Sequence, residues 1–220
     1  MSPEPRTLIT TKLHRPLVTG NHVERSRLTQ QLQRGLSQPL TLVCAGAGFG
    51  KTTLVSCWLS VLEEQQGQAQ GALRSAWLSL DSHDSDLASF LTYFIAALRT
   101  RFPDACAGTL NLIGARTDPP PGLLAATLIN EIALLPEPFV VVLDDFGCLR
   151  GEAVPELLNL LLQHWPPSMH MVLISRYNPP LSLARLRANG QISEIRSRDL
   201  RFTREETLAY LAMVLPEPPN

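Results

Sequence analysis

Five short runs of apolar and β-favouring residues punctuate the chain: Leu40 to Cys44, Ser75 to Leu80, Phe139 to Leu143, Met169 to Ser175 and Ile192 to Ile195. Helical patterns separate them. Leu87, Phe90, Leu91, Phe94, Ile95 and Leu98 recur at i, i+3, i+4, i+7, i+8 and i+11, which puts all six on one stripe of a helix. Val154, Leu157, Leu158, Leu161 and Leu162 repeat that spacing. Short strands alternating with helices predict an α/β domain in which helices cover both faces of a mainly parallel sheet. Proline and glycine mark the connections: DPPPG at 118 to 122 should precede a helix, and NPP at 178 to 180 should follow a strand. Thr203 and Glu206 have capping-box spacing, and Leu208, Leu211 and Leu215 continue as a helix face. The polar stretch EEQQGQAQG at 63 to 71 is expected to be a surface loop ahead of the second strand.

The densest chemistry lies in AGAGFGKTT at 45 to 53. It falls between the run LTLVC and a helix whose inner face would be Leu54, Val55, Trp58, Leu59 and Leu62. Strand, glycine-rich loop and helix in that order make a phosphate-binding loop. Such a loop turns its backbone N–H groups inward, which requires small residues and tolerance of unusual φ, hence Gly46, Gly48 and Gly50 with Ala47 and Phe49 between them. Lys51 is placed to reach the β- and γ-phosphates, Thr52 to offer a hydroxyl to magnesium, and Thr53 to stand beside the phosphates, while the helix that starts here directs its positive end at the anion. Ala45 occupies the place where the usual pattern has glycine, so φ there must be negative.

Pro138 introduces FVVVLDD, a continuous apolar run of the kind a strand buried on both faces shows, ending in two carboxylates. Ligands of open sheets bind at such strand ends. Asp144 is therefore the expected magnesium residue, acting through water, and Asp145 the group that orients or deprotonates an attacking water. The strand MVLIS delivers Arg176 to the same rim, where a guanidinium would sense or stabilise a γ-phosphate.

Composition narrows the field little further. Nineteen basic and 20 acidic residues give a net charge of -1, which offers no strongly attractive field for nucleic acid or anionic lipid. Cys44, Cys57, Cys106 and Cys148 lack the close pairing of zinc or redox sites and read as reduced packing residues. The five histidines show no paired ligand spacing. Arg185, Arg187, Arg196, Arg198, Arg201 and Arg204 are interleaved with Glu194, Asp199, Glu205 and Glu206, as on a solvated or interdomain surface. A polar N-terminus without an apolar core segment, and no stretch of bilayer length, point to the cytoplasm and to no membrane partner.

Several blocks together resemble one family, the large LuxR-type transcriptional activators of the STAND class of signalling ATPases, related to the maltose-regulon activator. These are TKLHRP with VERSRL, AGAGFGKTTL, AWLSLDSHDSDLASFLTYFIAAL, VVLDDF, and the most discriminating, LISRYNPPLSLARLRANGQISEI followed by DLRFTREE. The resemblance spans residues 8 to 215 and implies a three-layer P-loop NTPase of the ASCE type, strand order 5-1-4-3-2. It implies ATP (or ADP) and magnesium as ligands, with phosphate binding on Gly48, Gly50, Lys51 and Thr52, magnesium on Asp144, γ-phosphate sensing on Arg176, and Arg25 near the nucleotide. Gly147 departs from it, because members often carry histidine there.

Members of that family continue through a winged-helix region and a superhelical sensor to a C-terminal helix-turn-helix. None of these segments is in the 220 residues. The expected organisation is a nucleotide-binding lead over 1–35, an NTPase core over 36–200 and the truncated start of a helical region over 201–220. The implied role is a weak ATPase acting as a switch, with self-association in the full-length parent and DNA contact only through the absent helix-turn-helix. A kinase of a small acceptor and a non-hydrolysing nucleotide-binding module are the competing classes, and the first lacks any segment set aside for an acceptor pocket or lid.

Overall fold

A computed structural model describes residues 8–18, 22–66, 73–115 and 119–215. Every expected strand forms: β1 (Leu40–Cys44), β2 (Arg74–Ser79), β3 (Phe139–Asp144), β4 (Met169–Ser175) and β5 (Ile192–Arg196). All pair in parallel, in the order β2-β3-β4-β1-β5, the expected 5-1-4-3-2 read from the other edge. β1, β3 and β4 are buried at every position, which is why they read as unbroken apolar runs and not as alternating ones.

Eight α-helices are described: α1 (Ser26–Gly35), α2 (Lys51–Gln66), α3 (Leu87–Arg99), α4 (Ala107–Gly114), α5 (Pro121–Ala133), α6 (Ala153–Gln163), α7 (Leu183–Ala188) and α8 (Arg204–Val214). They make the two outer layers. Val43, Val140, Val142, Val172 and Ile174 point to one face, where Leu28 and Leu32 of α1 and Leu54, Val55, Trp58, Leu59 and Leu62 of α2 pack on them. Leu42, Val141, Leu143, Met171 and Leu173 point to the other, covered by the Phe90, Phe94 and Ile95 stripe of α3 and the leucines of α5 and α6. Within each strand the side chains alternate between the two cores, as the period of two requires.

Three local details depart from the sequence pattern. Glu63 and Glu64 belong to α2, not to a loop, and Glu63 accepts a hydrogen bond from Ser75 Oγ at 2.7 Å and pairs with Arg15 at 2.9 Å; the rest of the expected loop, 67–71, lies outside the described residues, as do residues 118 and 216–220. α4 starts from Cys106 in the left-handed region, φ 55, and its first N–H groups are satisfied from α5, where Glu131 accepts from Gly108 N at 2.7 Å and Thr109 N at 3.0 Å. α8 forms behind a complete Thr203–Glu206 capping box, but its leucines face outward: Leu208 is 58% exposed and Leu211 42%. All four cysteines are free thiols. No helix among the described residues is long and apolar enough to cross a membrane.

Candidate nucleotide site

β1 ends beside β4, and the chain leaves the sheet with Ala45 N donating to Ser175 O at 3.2 Å. Ala45 is buried and its φ is not positive, the condition an alanine needs at that place. The loop then rises through residues 46–50, all exposed. Gly48 and Gly50 have φ of 79° and 72°. A Cβ added at either would touch nothing within 4 Å, so glycine is required there by backbone conformation and not by crowding.

α2 begins directly at Lys51, which leaves the N–H groups of its first turn free to face an anion. Lys51 Nζ, buried against the loop, donates to Gly46 O at 2.8 Å. Burial pulls its pKa below the ordinary lysine value, with Arg176 acting the same way and Asp145 and Asp144 opposing. One residue on, Thr52 Oγ1 stands 3.1 Å from both carboxylate oxygens of Asp144. The strand end and the helix start thus bring an alcohol and a carboxylate together across β4, although they are 92 residues apart in sequence.

Asp144 is 5% exposed, and burial pushes its pKa upward, aided by the Asp145 charge and opposed by the Thr52 hydrogen bond. Asp145 turns the chain out of β3 in the left-handed conformation, φ 55, and its N–H donates to Asp144 Oδ1 at 2.9 Å. This turn gives the two acids different surroundings. Asp144 faces the loop, and Asp145, 47% exposed, stands 3.7 Å from Arg176 Nε, which is itself half exposed. Gly147 packs beneath the end of β4: a Cβ there would lie 3.3 Å from Ser175 Oγ and 3.7 Å from the Tyr177 ring. A side chain at this position would press first on Ser175 Oγ, and the Tyr177 ring lies at ordinary contact distance.

A cavity of about 720 Å³ opens beside the loop. Gly48, Phe49, Gly50 and Thr53 line it together with Arg25, Phe202 and Tyr210. Arg25 is therefore brought to the site, but its guanidinium is already engaged, donating to Leu200 O at 2.8 Å and Arg201 O at 3.1 Å. The aromatic wall from Phe202 and Tyr210 carries no sequence motif, and only the fold reveals it. Arg176, Arg196 and Arg198 line a second, more open hollow against Cys44 and Ala45.

Thr52 Oγ1 and the Asp144 carboxylate offer hard oxygen donors side by side at the mouth of the loop, a donor set that suits magnesium. No cluster of three or more metal-binding side chains occurs among the described residues, so such an ion would complete its shell with water and phosphate.

No family model matches the chain. Over 211 residues it is 33% identical to a protein of Cronobacter sakazakii named HTH-type transcriptional regulator MalT, and 32% identical to the protein of that name from Klebsiella pneumoniae, the match covering 96% of this chain in each case. The chain is a MalT-like P-loop domain. It spans 22% of the length of these relatives. The solved structure of Cdc6p from Pyrobaculum aerophilum superposes with a TM-score of 0.56 at 14% identity, over 94% of this chain and 53% of that one, which agrees with the fold. Within the MalT-like chain, the phosphate loop, the acidic strand end and the arginine after β4 converge on one rim of the sheet, as open α/β sheets arrange their ligand sites.

Proposed function

We propose that this domain binds ATP with magnesium and hydrolyses it slowly, as the switch of a longer transcription regulator. The observation that carries the reading is the meeting of Thr52 with Asp144 at the head of a loop whose two positive-φ glycines leave its N–H groups free. In this reading Gly46, Ala47, Gly48, Phe49, Gly50 and Thr53 supply the phosphate cradle, and Lys51 exchanges the Gly46 carbonyl for phosphate oxygens. Thr52 and Asp144 hold magnesium, which when bound neutralises charge on the phosphates. Asp145 orients the attacking water or takes its proton. Arg176 stabilises charge on the γ-phosphate; its pairing with Asp145, exposed on both sides, is weak enough to part. Arg25 lines the nucleoside end.

Hydrolysis as a switch requires two states that differ in affinity for the remainder of the regulator, and the relatives' name, HTH-type transcriptional regulator, supports a DNA-reading element outside this domain. Self-association and DNA binding therefore belong to the whole regulator, with this domain setting its state. Calorimetric titration of ATP with and without magnesium, on wild type and Asp144→Asn, tests the reading. Magnesium should strengthen ATP binding in the wild type and do little in the variant; identical magnesium titrations in the two proteins would refute the assignment of the acidic strand. Turnover that rises on adding a small alcohol or amine acceptor would favour a kinase instead.

A further inference from the structure

Glu206 fills the third position of α8 in the capping box, a place where a glutamate ordinarily stands in solvent. Here it is 8% exposed. The capping role occupies only part of its carboxylate: Oε2 accepts from Thr203 N at 3.0 Å, while Oε1 accepts from Arg27 Nε at 3.1 Å and Oε2 also from Arg27 Nη2 at 3.2 Å and Arg25 Nη2 at 3.3 Å. Two guanidiniums on one buried carboxylate cost desolvation that a cap alone does not need.

The same arginines clamp the turn that connects β5 to α8. Arg25 donates to the carbonyls of Leu200 and Arg201, and Arg27 Nη2 to that of Arg201 at 2.9 Å. Arg25 also lies 5.0 Å from the centre of the Phe202 ring, which is 5.9 Å from that of Tyr210. Arg25, Phe202 and Tyr210 line the cavity that Gly48, Phe49 and Gly50 of the phosphate loop also line. A chain of contacts therefore runs from Glu206 to the aromatic wall.

We infer that Glu206 is a positioning residue for the nucleoside end of the site: by holding Arg25 and Arg27 it sets the wall formed by Phe202 and Tyr210, against which a flat heterocycle packs. This rests on the proposed nucleotide reading and deepens it. Binding energy then divides by part of the ligand, because the wall faces the base and ribose, whereas the phosphates meet the loop and Lys51.

The experiment measures ATP and inorganic tripolyphosphate binding, both with magnesium, on the full 220-residue chain. Glu206→Gln is the informative variant because glutamine also serves the third position of a capping box, so α8 keeps its cap while the arginines lose their counter-charge. ATP affinity should fall about tenfold and tripolyphosphate affinity by less than about twofold, as expected when one wall of a pocket is loosened and the other is not. Arg27→Met removes only the half-exposed partner and should show the same selective loss at smaller size, so the test survives if Glu206→Gln does not fold. Equal losses for both ligands, or no loss for either in both variants, would overturn the inference while leaving the nucleotide reading intact. A wild-type protein that binds neither ligand would overturn both.

Discussion

Protonation of His170 should set much of the acid sensitivity of this fold. The residue sits near the start of β4, at the end of the sheet remote from the phosphate loop, and is 4% exposed. Its Nδ1 lies 2.7 Å from Gln38 O, and Nε2 is buried with no partner among the described protein groups. Burial pulls the imidazole pKa from the ordinary 6.5 down to about 4, against the smaller opposing effect of the Gln38 carbonyl. A folded-state value below the unfolded one means that, between about pH 6.5 and 4, the unfolded chain binds a proton that the native state refuses. Stability is therefore full above that window and falls as pH drops through it, by about 2 kcal/mol on going from pH 7 to pH 5 and about 3 kcal/mol by pH 4. Glu194, held down to about 2 by Arg187 first and then Arg196, adds its loss only below its ordinary 4.5 and leaves the upper part of the window to His170. Urea denaturation of wild type and His170→Gln at pH 7 and pH 5 isolates the contribution, since every other titrating group is common to the two. The stability difference between the proteins should shift by about 2 kcal/mol in favour of the variant at the lower pH; the same pH dependence in both would refute the argument.

The same geometry fixes three further outcomes. Lys51→Ala should abolish measurable ATP binding in calorimetry while leaving the thermal midpoint nearly unchanged, because the amine serves the loop and not either core. Asp145→Asn and Arg176→Ala should each lower ATP turnover more than ATP affinity, and comparing single-turnover rates with dissociation constants will show whether the two effects separate. Phe94→Ala, at a fully buried position between α3 and the sheet, should cost about 3–5 kcal/mol of unfolding free energy by denaturant titration.

The strands and the α2, α3 and α6 stripes could be read along the chain because burial on both faces of a parallel sheet leaves long apolar runs, and one-sided burial leaves a helical period. α4 could not be. Its AGTLNLIG has glycine at the second and eighth positions, and the compensation for its exposed first N–H groups comes from Glu131, more than twenty residues away. α8 shows the converse. The capping box correctly marks its start, yet the leucine spacing that ordinarily signals a core face here belongs to residues in solvent, and the residue it buries is the glutamate. Periodicity reports which face is apolar, not whether anything covers it.

The site divides along the same line between local and tertiary information. Binding phosphate through backbone N–H groups demands particular φ values over a few consecutive residues, and that demand is written directly as Gly48, Gly50 and Lys51. An acid at a strand end is nearly as local, since the run FVVVLDD contains both the strand and its terminus. The aromatic wall proposed for the nucleoside has no such constraint. Any aromatic pair at the right place in space would serve, and here it comes from the turn after β5 and from α8, reached by Arg25 across 175 residues of chain to Leu200 and 181 to Glu206. The family resemblance could place Arg25 near the nucleotide, but its reason for being there requires its partner. With the guanidinium already bound to two carbonyls and a carboxylate, Arg25 works on a ligand chiefly through the wall it fixes and less through its own charge. Arg25→Lys should therefore disturb the pocket nearly as much as Arg25→Ala, because a lysine nitrogen stops one bond short of the Nη2 that meets Leu200, Arg201 and Glu206 and lacks the flat group that lies over the Phe202 ring. Parallel ATP titrations of the two variants check this, and a lysine variant that binds like wild type would show that charge, not the reach and flatness of the guanidinium, is what the site uses.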